Sequence, residues 1–365
     1  MKINLIIFLS KFTHGGAGNS IFRLCEGLSR KKYNINIICL NKCSYKKEFK
    51  KKNIKLFEVK AKKTFLAMPQ IKKIVQSLLS TKYKKNIYIS NIYYSNILSI
   101  LFLRKLKMKI ILIERTPHQE LNIFFSTLDS YKKKFMKLLI KFTYRYADLC
   151  ISNSKYISKE YNKKYNLKFK TIHPPSFIND LKPIKKSKKN VQLFSLATVC
   201  RLTKEKGLAE FINSISKLKF DFKFFIIGDG PEKKILKELA IKLNMNNKII
   251  FCGFQNYLQI KRKLKTIDLF INCSYFEGFP NSVVESLANS TPVLAAQSFG
   301  GINEIIKNKN FGYIYKNEYQ LINFLNIFYF KRKKISINQT AIYSHLKKFS
   351  VSVNIKKYSK IFENI

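Results

Sequence analysis

Two series of short apolar runs, separated by a polar stretch, constrain the fold of this 365-residue chain more than any other feature. The first series is Ile3–Leu9, Ile35–Leu40, Ile54–Val59, Ile87–Ser90, Ile110–Ile113 and Leu149–Ser152. The second is Leu193–Val199, Phe222–Ile227, Lys248–Cys252, Leu269–Cys273 and Val293–Ala296. Strand-like runs that alternate with helical or loop segments argue for parallel sheets with helices on both faces. The expected fold class is therefore α/β, with two Rossmann-like domains in tandem. After His173-Pro174-Pro175 the chain is polar, Lys- and Pro-containing and aperiodic as far as Asn190, which reads as a linker. The expected boundaries are 1–173, a linker at 174–190, 191–345, and a C-terminal helix at 346–365 returning towards the first domain. In open sheets of this kind ligands gather beyond the carboxyl ends of the strands, so the expected site is a central cleft that the two sheets face.

Charge is the second constraint, with 70 Lys and Arg against 21 Asp and Glu, a net +49. A/T-rich coding bias explains part of this, since the chain is also rich in Ile, Asn, Phe and Tyr and lacks Trp. The remainder acts as a field for polyanions: nucleic acid, anionic lipid or pyrophosphate-linked substrates. Lys46 to Lys63 holds nine Lys against Glu48 and Glu58 and reads as an exposed loop and edge. In Tyr131 to Arg145, Lys133, Lys137, Lys141 and Arg145 recur every four residues around Phe135, Leu138, Leu139 and Phe142, which is helical spacing. Such a helix either lies on an anionic membrane surface or packs its apolar side on its own domain. A nucleic-acid-binding module is the rival reading, but no helix-turn-helix, RRM or OB pattern is present, and the expected partners exclude nucleic acid. The seven Cys are odd in number, scattered and free of C-x-x-C spacing, which fits a reducing cytoplasm and neither a disulfide framework nor a zinc site. The most apolar stretch, Ile92 to Leu103, contains Ser95, Asn96 and Ser99 and falls short of the roughly 18–20 residues of a membrane span.

Residues 274–296 carry most of the functional signal. Glu277 and Glu285 flank a Gly278-Phe279-Pro280-Asn281 turn that opens a helix, and a buried strand follows. The first N–H groups of a helix lack helical partners and the macrodipole is positive there, which suits phosphate. Two carboxylates beside such a site suit the hydroxyls of a sugar and a ribose. The stretch resembles the Glu-x7-Glu motif of the retaining glycosyltransferases of family 4, which have the GT-B fold and use nucleotide-sugar donors. The resemblance implies an acceptor-binding N-terminal domain and a nucleotide-sugar-binding C-terminal domain.

Other segments match that resemblance in order. Arg201 and Lys206, in Val-Cys-Arg-Leu-Thr-Lys-Glu-Lys-Gly, are similar to the family's Gly-Arg-Leu-x-x-x-Lys-Gly pattern, which places them as a diphosphate clamp; Cys200 stands where Gly is usual. Gly228 lies in Ile227-Gly228-Asp229-Gly230-Pro231, similar to the Gly-x-Gly-Pro element near the nucleotide. Gly300-Gly301-Ile302-Asn303-Glu304 resembles the Gly-Gly-x-Pro-Glu helix start, with Asn303 replacing Pro, and Ser290 replaces a common Gly. Gly15 and Gly16, before a helix expected from about Ser20 to Arg30, form either a phosphate-facing loop like the family's or a tight turn needed only for packing. On the acceptor side Glu114-Arg115 resembles a branch of the family that builds on polyprenyl-pyrophosphate sugars, and His118 follows closely. His118 is either catalytic or structural, and Arg115 either faces the acceptor or pairs with a core carboxylate.

The resulting expectation is a retaining hexosyl- or N-acetylhexosaminyltransferase, peripheral on the cytoplasmic face of the membrane. It would move a sugar, with UDP the preferred carrier, to a lipid-linked or other glycan acceptor in cell-surface polysaccharide, lipopolysaccharide or capsule assembly. Donor diphosphate would lie between Arg201, Lys206 and the turn of Phe279, Pro280 and Asn281, with Glu285 on the ribose and Glu277 on the sugar. The sequence contains no Asp-x-Asp, so neither a metal nor any other cofactor is expected. The alternatives are a polyanion-binding protein or a GT-B enzyme of another reaction, such as a nucleotide-sugar epimerase.

Overall fold

The computed structural model describes residues 2–124, 126–177, 193–308, 311–331 and 339–365. The expected linker lies outside these residues from 178 onward. The chain divides into two compact units, Met1–Ser176 with Phe349–Ile365, and Phe177–Lys348.

The first unit is built on a seven-stranded sheet of β1 (Ile3–Phe8), β2 (Tyr33–Leu40), β3 (Lys55–Val59), β4 (Lys85–Asn91), β5 (Lys109–Glu114), β6 (Leu149–Ser152) and β7 (Phe169–Thr171). The order is β3-β2-β1-β4-β5-β6-β7, and every neighbouring pair is parallel. In β1, Leu5 is aligned with Ile35 of β2 and Ile87 of β4. Successive side chains leave a strand on opposite faces, so Leu5, Ile7, Ile37 and Ile89 enter one buried cluster while Ile6, Phe8, Ile38 and Tyr88 enter another. Burial on both faces is the reason these strands read as continuous apolar runs.

Three local features differ from the sequence expectations. The first helix is Gly16–Gly27, not Ser20 to Arg30, because Asn19 N–H already bonds to Gly15 O at 2.9 Å and Ser20 Oγ–H to Gly16 O at 2.7 Å. The Lys-rich segment from Lys46 is not open loop: Lys46–Lys51 is helical, β3 forms the sheet edge, and Lys46 Nζ meets Glu58 Oε2 at 2.5 Å. The strand β7 was not expected, and with three residues it is too short to show a pattern.

The basic segment beyond Tyr131 belongs to a helix, Thr127–Thr143, whose N-terminus is capped by Ser126 Oγ accepting from Asp129 N–H at 3.1 Å. It buries Ile140 and Thr143, with Met136 and Leu139 partly buried against the core. The C-terminal helix Val351–Asn364 packs on Gly16–Gly27, with Ile355 directly over Gly27.

The second unit holds β8 (Phe194–Val199), β9 (Phe222–Ile227), β10 (Ile249–Gly253), β11 (Leu269–Asn272), β12 (Phe276–Glu277), β13 (Val293–Ala296), β14 (Phe299–Gly300) and β15 (Tyr313–Tyr315). The main sheet runs β10-β9-β8-β11-β13-β15, all parallel, while β12 and β14 form a separate short ladder. Phe194, Leu196, Phe224, Ile226, Leu269, Ile271 and Leu294 supply its core with Phe211, Ile212 and Leu325 from the helices. The edge strand β15 is again a three-residue element that the sequence did not reveal. Among the described residues no helix is long and apolar enough to cross a membrane.

Candidate active site

In the second unit the residues singled out by sequence converge at the carboxyl ends of β8, β9 and β11. Arg201 and Lys206 lie on the loop after β8, Gly228 follows β9, and Glu277 to Asn281 lie beyond β11, the neighbour of β8. The loops interlock through the backbone: Cys200 N–H bonds to Ile227 O at 3.1 Å, Leu202 N–H to Asp229 O at 3.0 Å, and Tyr275 N–H to Glu205 O at 3.0 Å. Gly228 is required by this closeness, since its φ is +139° and a Cβ there would stand 1.9 Å from Cys200 O. Cys200 itself is tolerated in place of Gly because it is its carbonyl, not its side chain, that meets Gly228.

At the centre, Lys206 Nζ meets Glu277 Oε1 at 2.6 Å, and Ser274 Oγ–H bonds to the same oxygen at 3.0 Å. The two charged side chains are only 14% and 18% exposed. Burial opposes the charge on Lys206, yet the adjacent Glu277 carboxylate and its hydrogen bond outweigh it and raise the lysine above its ordinary value. Both interactions use Oε1 of Glu277. Arg201 is more open and reaches Glu205 Oε1 at 3.7 Å. Pro280 precedes the helix Asn281–Ala288, with Phe279 buried before it. Glu285 is buried one turn into that helix.

The first unit holds a second group at the carboxyl ends of β1 and β5. Gly15 caps the first helix and Gly16 begins it, beside His14, whose ring packs on Tyr45 at 4.5 Å. Glu114 ends β5 and is fully buried. Its Oε1 accepts Arg115 N–H at 2.9 Å and Thr116 N–H at 3.1 Å, and its Oε2 accepts the Tyr144 hydroxyl at 2.7 Å. Burial pushes this carboxyl up to about 7, against the pull of those three donors. Among the described residues the Arg115 guanidinium forms no ion pair with a core carboxylate, and its Nε donates to Asn91 Oδ1 at 3.1 Å.

His118 is buried, with Nδ1 2.8 Å from Lys164 Nζ and Nε2 2.9 Å from the Tyr165 hydroxyl. An ammonium has only donors, so Nδ1 accepts and Nε2–H donates. Burial, with Lys164 and Lys137 nearby, lowers its pKa to about 4 and keeps the ring neutral at pH 7.

Sequence reasoning missed Ser274, Glu205 and Tyr144. Ser274 lies three residues before Glu277 in the same motif, but only the turn geometry reveals that its hydroxyl reaches the carboxylate. Nothing in the sequence ties Tyr144 to Glu114, which is 30 positions away.

A model of the glycosyl transferases group 1 matches residues 180–324, and one of Glycosyltransferase Family 4 matches residues 14–175. Together they span most of the chain. An uncharacterized glycosyltransferase of Methanocaldococcus jannaschii is 28% identical over 79% of this chain and 73% of its own length. The N-acetylgalactosamine-N,N'-diacetylbacillosaminyl-diphospho-undecaprenol 4-alpha-N-acetylgalactosaminyltransferase of Campylobacter jejuni is 27% identical over 84% of each chain. Among solved structures, Anabaena HepE in complex with UDP and glucose aligns with a TM-score of 0.80 at 19% identity, covering 99% of both chains.

Proposed function

The chain belongs to the group 1, family 4 glycosyltransferases and has their GT-B fold, and from that premise we propose that it is a retaining, metal-independent enzyme. Its donor is a UDP-sugar and its acceptor a lipid-linked glycan, handled at the cytoplasmic face of a membrane during cell-surface polysaccharide assembly. The observation that carries the reading is the Lys206–Glu277 pair at 2.6 Å, with Arg201 on the same loop and a helix N-terminus following Glu277.

Each residue takes a role that its chemistry permits. Lys206 and Arg201 neutralise the departing diphosphate, and the first N–H groups of Asn281–Ala288 assist. Lys206 has three N–H donors and uses one on Glu277, so others remain for phosphate oxygens. Glu277 accepts sugar hydroxyls through Oε2 while Ser274 and Lys206 hold Oε1. Glu285 accepts ribose hydroxyls, and Phe279, Pro280 and Gly228 shape the nucleotide side. Gly15 and Gly16, where the first helix of the first unit opens, are assigned to the donor by the resemblance of their loop. Glu114 and Arg115 serve the acceptor side, and His118, with both ring nitrogens engaged, supports that wall. The acceptor hydroxyl attacks the anomeric carbon on the face that the diphosphate leaves, the new glycosidic bond forms as the bond between the anomeric carbon and the diphosphate oxygen breaks, and the hydroxyl proton departs with the leaving nucleoside diphosphate.

Support for a metal-free clamp comes from the absence of Asp-x-Asp in the sequence and from Arg201 and Lys206 on the loop after β8. Support for a lipid-linked acceptor comes from the Campylobacter relative, whose name describes a diphospho-undecaprenol substrate, and for UDP from the HepE complex. The test is release of nucleoside diphosphate from UDP-, GDP- and ADP-sugars in EDTA, with nucleotide binding read in the same samples. UDP release that Glu277→Ala and Arg201→Ala both abolish is expected, and the anomeric proton of the product should report retention. Absence of any nucleotide binding, or turnover only when a divalent cation is restored, would overturn the proposal.

A further inference from the structure

The helix Thr127–Thr143 carries two apolar faces. One, with Met136, Ile140 and Thr143, is turned into the first unit. The other is a row of Leu128, Tyr131, Phe135, Leu138 and Phe142, exposed by 64, 67, 56, 50 and 47%. Spacings of three and four residues set this row on one side of the helix, over an arc of about 80° and a length of about 21 Å. A contiguous exposed apolar row of this size marks an interaction surface and not ordinary surface scatter.

Charge identifies the occupant. Lys134 and Lys141 border the row on one side, Lys132 on the other, and Arg145 lies just past its end, all exposed. Lys134 Nζ lies 5.7 Å from the Tyr131 ring and the Arg145 guanidinium 5.6 Å from the Phe142 ring, so both cations lie along the apolar surface. The one acidic residue of the helix, Asp129, is paired with Lys133 at 2.9 Å. Two of the lysines that give the sequence its four-residue rhythm are therefore occupied internally: Lys133, which also bonds to Ile123 O, and Lys137, which bonds to Asn122 Oδ1 at 2.6 Å. A second copy of a chain of net charge +49 would bring the same cations against these and be repelled.

We infer that this helix docks the protein on an anionic lipid surface, with the apolar row below the headgroups and the bordering lysines at the phosphates. The inference rests on, and makes specific, the membrane location proposed above. It assigns docking to a single face of one helix.

The test is co-sedimentation of the full chain with vesicles of phosphatidylcholine alone and of equal parts phosphatidylcholine and phosphatidylglycerol. The variants are Phe135→Ser/Leu138→Ser/Phe142→Ser and Lys134→Glu/Lys141→Glu, with size-exclusion chromatography and UDP titration calorimetry on each. Binding should require phosphatidylglycerol, weaken with salt, and fall at least about tenfold in the triple serine variant, since each buried apolar side chain contributes to partitioning. The charge-reversal variant should lose the preference for phosphatidylglycerol. Undiminished binding by the triple variant would mean that general surface charge, not this helix, is responsible, and would overturn the inference. Equal binding to pure phosphatidylcholine, or a wild-type dimer that the triple variant dissociates, would also overturn it. Vesicle binding without UDP binding in the wild type would defeat the transferase proposal while leaving the docking surface intact.

Discussion

Gly300 stands opposite Glu277 in the short parallel ladder of β14 and β12, and a Cβ on Gly300 would lie 1.6 Å from the Glu277 carbonyl oxygen. The glycine also has φ +130°, a conformation that L side chains avoid. The backbone carrying the central carboxylate is thus fixed from behind by a residue that admits no side chain, and Gly301 N–H closes the contact on Glu277 O at 3.2 Å.

Gly300→Ala should therefore displace Glu277 without touching its charge. Strain at such a position costs about 1–3 kcal/mol, so the melting temperature should fall by several degrees. Turnover should fall further than stability alone explains, with the loss in kcat larger than that in KM. A variant with wild-type turnover would show that the ladder does not position Glu277.

The Lys206–Glu277 pair predicts a second pattern. Removing one member of a buried pair leaves the other uncompensated, which costs about 3–5 kcal/mol where burial is complete. Lys206→Met should therefore destabilise more than the double variant Lys206→Met/Glu277→Gln, a comparison that denaturant unfolding can make. Because the pKa of Lys206 is raised, its contribution is fully present below the unfolded value of 10.5 and is lost as pH rises through the higher folded value. On the alkaline side, the stability gap between wild type and Lys206→Met should consequently begin to narrow only above pH 10.5. A gap that closes already near neutrality would contradict the pairing.

The sheet strands were legible because parallel strands are apolar on both faces, as Leu5 to Phe8 illustrates with one cluster on each side. The elements that escaped are those with too few residues to form a pattern: the edge strands at Phe169–Thr171 and Tyr313–Tyr315, and the ladder of Phe276–Glu277 with Phe299–Gly300. Periodicity also located the basic helix but not its orientation. Leu139 and Phe142 are equally apolar in sequence, yet the first is half-buried against the core and the second is exposed, a choice made by neighbouring elements and not by the helix itself. At the candidate site, charged residues were visible through their motifs, while their supports were not. Ser274 and Tyr144 act through tertiary hydrogen bonds to Glu277 and Glu114, and a hydroxyl in sequence does not announce its acceptor.

Neutral His118 makes the fold sensitive to acid. Its pKa is lowered to about 4 from 6.5, so its contribution to stability is present above pH 6.5 and is lost as pH falls through 4. Titration of its ring followed by NMR should give a midpoint near 4, raised when Lys164→Met removes the adjacent ammonium. A midpoint near 6.5 would show that the ring is not held as described.

Glu114 works in the opposite sense. A carboxyl raised to about 7 from 4.5 favours folding most when neutral, so its contribution is present below pH 4.5 and is lost as pH rises through 7. By linkage the change amounts to roughly 3 kcal/mol over that window. Glu114→Gln keeps an acceptor for the Arg115 and Thr116 N–H groups but cannot ionise. Relative to wild type it should gain stability steadily between pH 4.5 and 7 and hold a constant advantage above, as read from chemical unfolding across that range. Parallel stability curves for the two proteins would mean that the Glu114 carboxyl titrates at an ordinary value, and that the Tyr144 hydroxyl with its two backbone partners compensates fully for its burial.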